Sequence, residues 1–278
     1  MILINEIVTP FNLKKEIDVN MFNFLIKSSI EKQNDYVMIF AKYGDNDSLT
    51  TLEKKQLISS INSKYISKII YYFFLENEYK DLEVINYLNN SDILYVMIQP
   101  PRNNFYSQNG LFLYIKNTIK KLKNKKIILV NSSSQNDVSF YFQTIKKLLK
   151  ICPNIVALYE NSEDSSLINL LQKHFNLDIL INEKSLSFGL KNNAKGIISL
   201  TSYIFSDEFK NIFDDYKNGY INDKAIEYIK FINEILCFSE NSVIMKTYLK
   251  KISYNSMEVR LPLYLENDDN TNLELLLP

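Results

Sequence analysis

The stretch Pro153–Asp164 reads PNIVALYENSED: a Pro-Asn turn, the apolar run IVALY, then an abrupt polar tail. A short apolar run bounded by turn residues reads as a strand buried on both faces, surfacing at its C-terminal end. The same pattern recurs on both sides. Strand candidates at Asn5–Pro10, Tyr36–Ala41, Ser67–Phe74, Asp92–Ile98, Lys126–Asn131, Ile155–Tyr159, Leu177–Ile181 and Gly196–Leu200 alternate with stretches of helical period. The latter include Val19–Gln33, Thr51–Ile61, Leu82–Asn90, Gly110–Leu122, Val138–Ile151 and Asp164–Phe175. Asp18 and Thr51 stand where N-caps belong. Eight strand–helix alternations fit an α/β fold of the parallel (β/α)8 TIM-barrel type. From Tyr203 the strands stop, and Asp207–Gly219, Asp223–Phe238 and Val243–Ile252 read as closing helices. The expectation is a barrel over 1–202 and a helical extension over 203–278 packed on it, one domain overall, since no repeat or Gly/Ser linker divides the chain.

Composition narrows the function classes. The chain has 278 residues, 46% of them hydrophobic, with 32 basic and 32 acidic side chains and a formal net charge of zero. Nucleic-acid binding draws on a surplus of positive charge on one face, so it is excluded as an expectation. The densest basic run, Lys116–Lys126, reads as the solvated face and end of a helix, with Ile119 and Leu122 on its apolar side. No apolar run approaches the length of a membrane span, and Ile69–Leu75, the most apolar window, reads as a buried strand. The N-terminus MILINEIVTPF lacks the pattern of a signal peptide. Cys152 and Cys237, the only two cysteines, are far apart, which fits a reducing cytoplasm. Arg102 and Arg260 are the only arginines and tryptophan is absent, while Asn, Lys, Ile, Tyr and Phe abound. These are residues favoured by AT-rich codons, so a very AT-rich genome is inferred.

A series of local motifs then carries a resemblance. IVTPFNLKKEID (Ile7–Asp18), GDNDSLTTLEKKQ (Gly44–Gln56), PPRNNFYSQNGL (Pro100–Leu111), IILVNSSSQND (Ile127–Asp137), PNIVALYENSED (Pro153–Asp164), GIISLTSYIF (Gly196–Phe205), and the closing FSENSVIMKTYL and MEVRLPLYL follow one another in register. In that order they resemble the dihydrodipicolinate synthase / N-acetylneuraminate lyase family of pyruvate-dependent class I aldolases. The resemblance implies a barrel lyase acting in lysine (diaminopimelate) biosynthesis, condensing pyruvate with aspartate semialdehyde. It implies no cofactor and no metal, a pyruvate-like small molecule as ligand, and a homo-oligomer, dimer or tetramer.

The resemblance also places the family's site residues, and most are replaced. The Schiff-base lysine of G-x-K-E falls on Tyr159 and the proton-relay tyrosine of I-L-Y-N on Val130. Imine formation needs an amine, and proton relay needs a titratable group; a phenol and an isopropyl group supply neither. The threonines of G-T-T-G-E become Asp45 and Asn46, so that an aspartate stands where a substrate carboxylate is gripped and would repel it. The arginine of R-T-G becomes Gln135 without the bidentate fork. Ile198 holds a substrate-binding position in G-I-I-S-L. The tyrosines of P-P-Y-Y become Arg102 and Asn103, the second being the one that reaches across a dimer interface in the family.

Two readings follow, a diverged and catalytically impaired synthase, or a non-catalytic pseudoenzyme acting as an oligomer partner or binding module. Lys42 is either a relocated nucleophile or a strand-end surface lysine. Arg102 is either an anion contact at the barrel mouth or an exposed loop arginine. Asp45, Asp47 and Glu160 are either a cluster of oxygen ligands or unrelated loop carboxylates. His174, the only histidine, falls on an outer helix, and zinc chemistry has no ligand set.

Overall fold

The computed structural model describes residues 1–102, 106–131, 138–160, 165–239, 241–265 and 271–276. Strand and helix alternate from the start: β1 (Ile2–Glu6), α1 (Val19–Glu31), β2 (Tyr36–Ile39), α2 (Thr51–Ser60), a single turn α3 (Ser63–Ile66), β3 (Ile69–Phe74), α4 (Lys80–Asn89) and β4 (Tyr95–Gln99). Then come α5 (Gln108–Lys121), β5 (Lys126–Asn131), α6 (Phe142–Ile151), β6 (Ile155–Glu160), α7 (Ser165–His174), β7 (Asp178–Asn182), the short α8 (Leu186–Lys191) and β8 (Gly196–Ser199). The strands close into a parallel barrel in sequence order, β1 to β8. Three helices end the chain, α9 (Ser206–Lys217), α10 (Asp223–Leu236) and α11 (Val243–Lys251). This is the (β/α)8 barrel with C-terminal helices that the alternation predicts.

By backbone contacts the chain resolves into two compact units, residues 69–197 with Met1, and residues 2–68 with 198–278. In the first, β3 to β7 pair in parallel with consecutive registers, among them Phe74 with Gln99 and Val130 with Tyr159. Ile69, Val96, Met97, Ile98, Ile127, Leu129 and Leu158 are fully buried. Strands covered on both faces are continuously apolar for this reason, and each such side chain contributes about 1.5–3 kcal/mol. Gly189 lets α8 lie against β7, because a Cβ there would stand 2.0 Å from Ile181 Cδ1. In the second unit, α1 buries Phe22, Leu25 and Ile26, and α10 buries Ile226, Ile229, Ile232 and Leu236.

Local chemistry fixes the helix starts. The Asp18 carboxylate accepts from Met21 N and, through its other oxygen, from the Ser256 hydroxyl at 2.6 Å. The start of α2 lies one residue before the expected cap: Thr50 is the N-cap, and with Glu53 it forms a capping box. The first strand also lies earlier than NEIVTP suggests. Pro10 has no N–H for a ladder, and Thr9 N is spent on the Asp45 carboxylate. In the basic run, Ile119 and Leu122 are buried as expected, but so is Lys125. Its ammonium donates to Ser91 O and Ile93 O, and burial lowers its pKa.

Candidate active site

Register and the two-residue period of a strand decide which side chains share a face. Tyr159 pairs with Val130 on one side and Leu180 on the other. Gln99 pairs with Phe74, and Ile98 with Leu129, which puts Gln99 beside Val130 one step on. Phe74, Gln99, Val130, Tyr159 and Leu180 therefore form one layer at the C-terminal ends of β3 to β7. Their neighbours Asn131 and Glu160 point the opposite way, toward the segment entering α6. There Asn131 Nδ2 donates to Glu160 Oε2 at 2.6 Å and Asn131 Oδ1 accepts from Phe140 N at 2.7 Å. The layer of Val130 and Tyr159 faces the barrel interior.

The layer contains no lysine. Tyr159 is half-buried and Val130 is buried. The Tyr72 hydroxyl donates to Gln99 Oε1 at 2.5 Å, and the amide nitrogen of Gln99 is buried without a hydrogen-bond partner. Arg102 lays its guanidinium over the Phe74 ring, 4.3 Å from its centroid, and is half-buried rather than an exposed loop residue. Asn103 and Gln135 lie outside the described residues.

The loop after β2 holds the other expected positions. Gly44 is required there, since a Cβ would meet Phe40 N at 2.8 Å. Asp45 follows at φ 58°, the left-handed region that aspartate and asparagine tolerate best among residues with a side chain. Its carboxylate is consumed by the protein. Asp45 Oδ1 accepts from the Ser242 hydroxyl at 2.5 Å, and Oδ2 accepts from Thr9 N at 3.3 Å and pairs with Lys246 Nζ at 2.9 Å. The expected repulsion of a carboxylate substrate is thus offset by an adjacent ammonium. Asn46 is spent locally as well, donating to Asp47 Oδ1 and accepting from Lys54 Nζ at 2.6 Å.

Lys246 is fully buried. Besides Asp45 it donates to Glu258 O at 3.0 Å and stands 4.4 Å above the Phe11 ring. Burial lowers its pKa, and the Asp45 charge opposes that shift. Arg260 also sits on Phe11, 4.3 Å from the centroid. Its fork grips both oxygens of Glu53, while Nε donates to Lys15 O and Nη1 to Ser48 O. The hydrogen bonds from Arg260 hold the Glu53 pKa down at about 2. The sequence marks Lys246 only as a retained, structural position of the motif FSENSVIMKTYL, and pairs neither it nor Ser242, in the same motif, with Asp45. A lysine one helical turn after a serine on an otherwise apolar helix face was the available signal.

Lys42 is exposed, and Ile198 is buried on β8. His174 is exposed near the end of α7, its ring 6.3 Å from that of Phe142. Among the described residues, no group of three or more His, Cys, Asp or Glu side chains is gathered to hold a metal, and no helix is long and apolar enough to cross a membrane.

A parallel eight-stranded barrel with its polar residues at the C-terminal strand ends is the architecture of a large class of barrel enzymes. This chain belongs to the dihydrodipicolinate synthetase family, whose model matches residues 2–277. It is 25% identical over 265 residues to the 4-hydroxy-tetrahydrodipicolinate synthase of Fervidobacterium nodosum, covering 92% of this chain and 90% of that protein. Its fold matches the 4-hydroxy-tetrahydrodipicolinate synthase of Methylacidiphilum fumariolicum with a TM-score of 0.88 at 21% identity, over 99% of this chain and 94% of the other. It matches the N-acetylneuraminate lyase of Fusobacterium nucleatum with a TM-score of 0.81 at 17% identity, over 99% and 96%.

Proposed function

We propose that this chain is a catalytically impaired member of its family, of dihydrodipicolinate synthase descent and set in lysine (diaminopimelate) biosynthesis, in which the Schiff-base reaction with pyruvate is lost. The observation that carries this reading is Tyr159. It occupies the interior face of β6, in register with Val130, at the position that the family resemblance gives to the nucleophilic lysine. In the lysine reaction an amine nitrogen adds to the ketone carbon of pyruvate, and water leaves as the C=N bond forms. A phenol oxygen has no route to that bond. Val130 beside it holds no proton to relay.

The loop after β2 supports the same reading. A carboxylate that is hydrogen-bonded by Ser242 and Thr9 and ion-paired with Lys246 serves to tie loop and helix together. Such a tie, made from a position that the resemblance gives to substrate binding, suits a protein retained as a folded partner, a cytoplasmic homo-oligomer that binds a pyruvate-like acid or another subunit without turning it over.

Borohydride trapping with pyruvate, read by intact mass and peptide mapping, tests the proposal. No adduct is expected under conditions that label an authentic lysine-bearing synthase. A stable pyruvyl adduct on one internal lysine, Lys42 included, would overturn it and name a relocated nucleophile.

A further inference from the structure

Gln99 is 1% exposed, and only one end of its amide is used. The oxygen accepts the Tyr72 hydroxyl at 2.5 Å, a separation that suits O–H···O rather than N–H···O and so fixes which end is which. The nitrogen is buried with no hydrogen-bond partner. An unsatisfied buried donor is costly, and in a native interior it calls for a functional explanation. The amide cannot turn to seek another partner without giving up Tyr72, whose ring is itself fixed against Phe74 with centroids 4.6 Å apart.

The surroundings of that nitrogen say what it would take. Gln99 belongs to the interior layer at the ends of β3 to β7, where Phe74 and Tyr159 are partly exposed, so solvent reaches the layer from that end. Arg102, three residues on and also partly exposed, holds its guanidinium 4.3 Å from the Phe74 centroid. Val130 and Leu180 give the same layer an apolar side. Glu160 is turned away from it, toward Asn131. A buried donor, a cation and apolar walls, with no carboxylate in the layer, suit a small acid with an apolar body. The loop after β2, where the family resemblance places the grip on a substrate carboxylate, has spent Asp45 on Lys246, Ser242 and Thr9, and Asn46 on Asp47 and Lys54.

We propose that carboxylate recognition in this chain has moved to the end of β4: the Gln99 amide nitrogen donates to an oxygen of a small monocarboxylate, Arg102 supplies the opposing charge, and Tyr72 is the positioning residue that holds the amide in place. The proposal rests on the reading of the chain as a non-covalent binder of a pyruvate-like acid, and adds which residues hold the acid. No bond is made or broken in the ligand, so the binding is reversible.

Saturation-transfer NMR on the methyl group of pyruvate, titrated against the full chain, tests it. Pyruvate is expected to bind, and its uncharged methyl ester to bind far more weakly. Gln99→Glu keeps the acceptor for Tyr72 and puts an oxygen where the donor stood, and Arg102→Met removes the charge. Each is expected to weaken pyruvate roughly ten- to hundredfold, the scale of one hydrogen bond to a charged group. Arg102→Lys is expected to recover part of that loss, since it keeps the charge without the fork. Should Gln99→Glu fail to fold, Tyr72→Phe combined with Gln99→Met removes the amide without stranding a hydroxyl, and a thermal melt of each variant confirms that it is folded. No saturation transfer to the wild type in a large excess of pyruvate, equal binding of the ester, or an affinity unmoved in folded Gln99 and Arg102 variants would each overturn the proposal. Borohydride treatment of the same samples keeps the two readings apart. A pyruvyl adduct on a lysine would overturn both, because the acid would then be held by a covalent bond. Reversible binding unmoved by the variants, with no adduct, would overturn this assignment alone.

Discussion

The Lys246 ammonium lies 2.9 Å from the Asp45 carboxylate with both side chains fully buried. One comes from a loop near the start of the chain and the other from a helix near its end, so the pair fastens α11 to the loop after β2. A buried ion pair is held by its hydrogen bonds as much as by its charges, because desolvation offsets most of the Coulomb gain. Here Ser242, Thr9 and Glu258 O supply those bonds.

Breaking the pair from one side strands a charge. Lys246→Met is expected to destabilise the protein by about 3–5 kcal/mol, since the Asp45 carboxylate stays buried without its cation. Asp45→Asn combined with Lys246→Met should recover most of that loss. Urea unfolding of the two single variants and the double variant measures the coupling, and strictly additive losses would refute it.

Arg260 should govern part of the acid stability. The Glu53 carboxyl, ordinarily near 4.5, is held at about 2 in the folded chain. A depressed carboxylate contributes stability that is present above its unfolded pKa and lost as pH falls through its folded one. Arg260→Met is therefore expected to cost about 1–2 kcal/mol at neutral pH, after allowing for the partial solvent exposure of the pair. The gap between variant and wild type should narrow as pH falls from 4.5 toward 2. A gap that widened on acidification would show that Glu53 is not the group involved.

Restoring one atom type should restore one step. Tyr159→Lys places an amine on the interior face of β6, and borohydride trapping with pyruvate is expected to label that position. Turnover should remain absent, because Val130 still lacks a proton to relay. Multiple turnovers by the single variant would show that the relay had been replaced elsewhere.

Gly189→Ala should be costly for steric reasons alone. The added methyl would fall 2.0 Å from Ile181 Cδ1, and the shift needed to relieve it is expected to cost about 1–3 kcal/mol. A thermal melt unchanged from wild type would mean that α8 yields freely.

The barrel was legible because its signals are local. A buried parallel strand must be apolar throughout, and IVALY and KIILVN announce themselves without knowledge of their neighbours. Element ends were read to within a few residues, the misses at Thr50 on α2 and Ile2 on β1 arising where one cap or one ladder partner decides. The six-residue α8 carried no such signal, since one and a half turns are too short to show a period. The positions of Tyr159 and Val130 came from motif spacing, and pairing register set them side by side. The fate of Asp45 was not legible, because its partner lies at the far end of the chain and long-range pairing leaves no periodic trace. For the same reason Lys125 read as solvated although it is buried.

Arg260 bears on the history of the gene. A genome drifting toward A and T replaces arginine with lysine wherever the exchange is tolerated, and this chain retains two arginines in 278 residues. At Arg260 the exchange fails on geometry: the planar fork meets Glu53 with two nitrogens, reaches two carbonyl oxygens and lies flat on Phe11, and a lysine has one nitrogen and no plane. The exchange that AT-rich codons favour would therefore leave Glu53 and two backbone oxygens short of donors at this one place, which sets a structural limit on how far such drift can carry the chain.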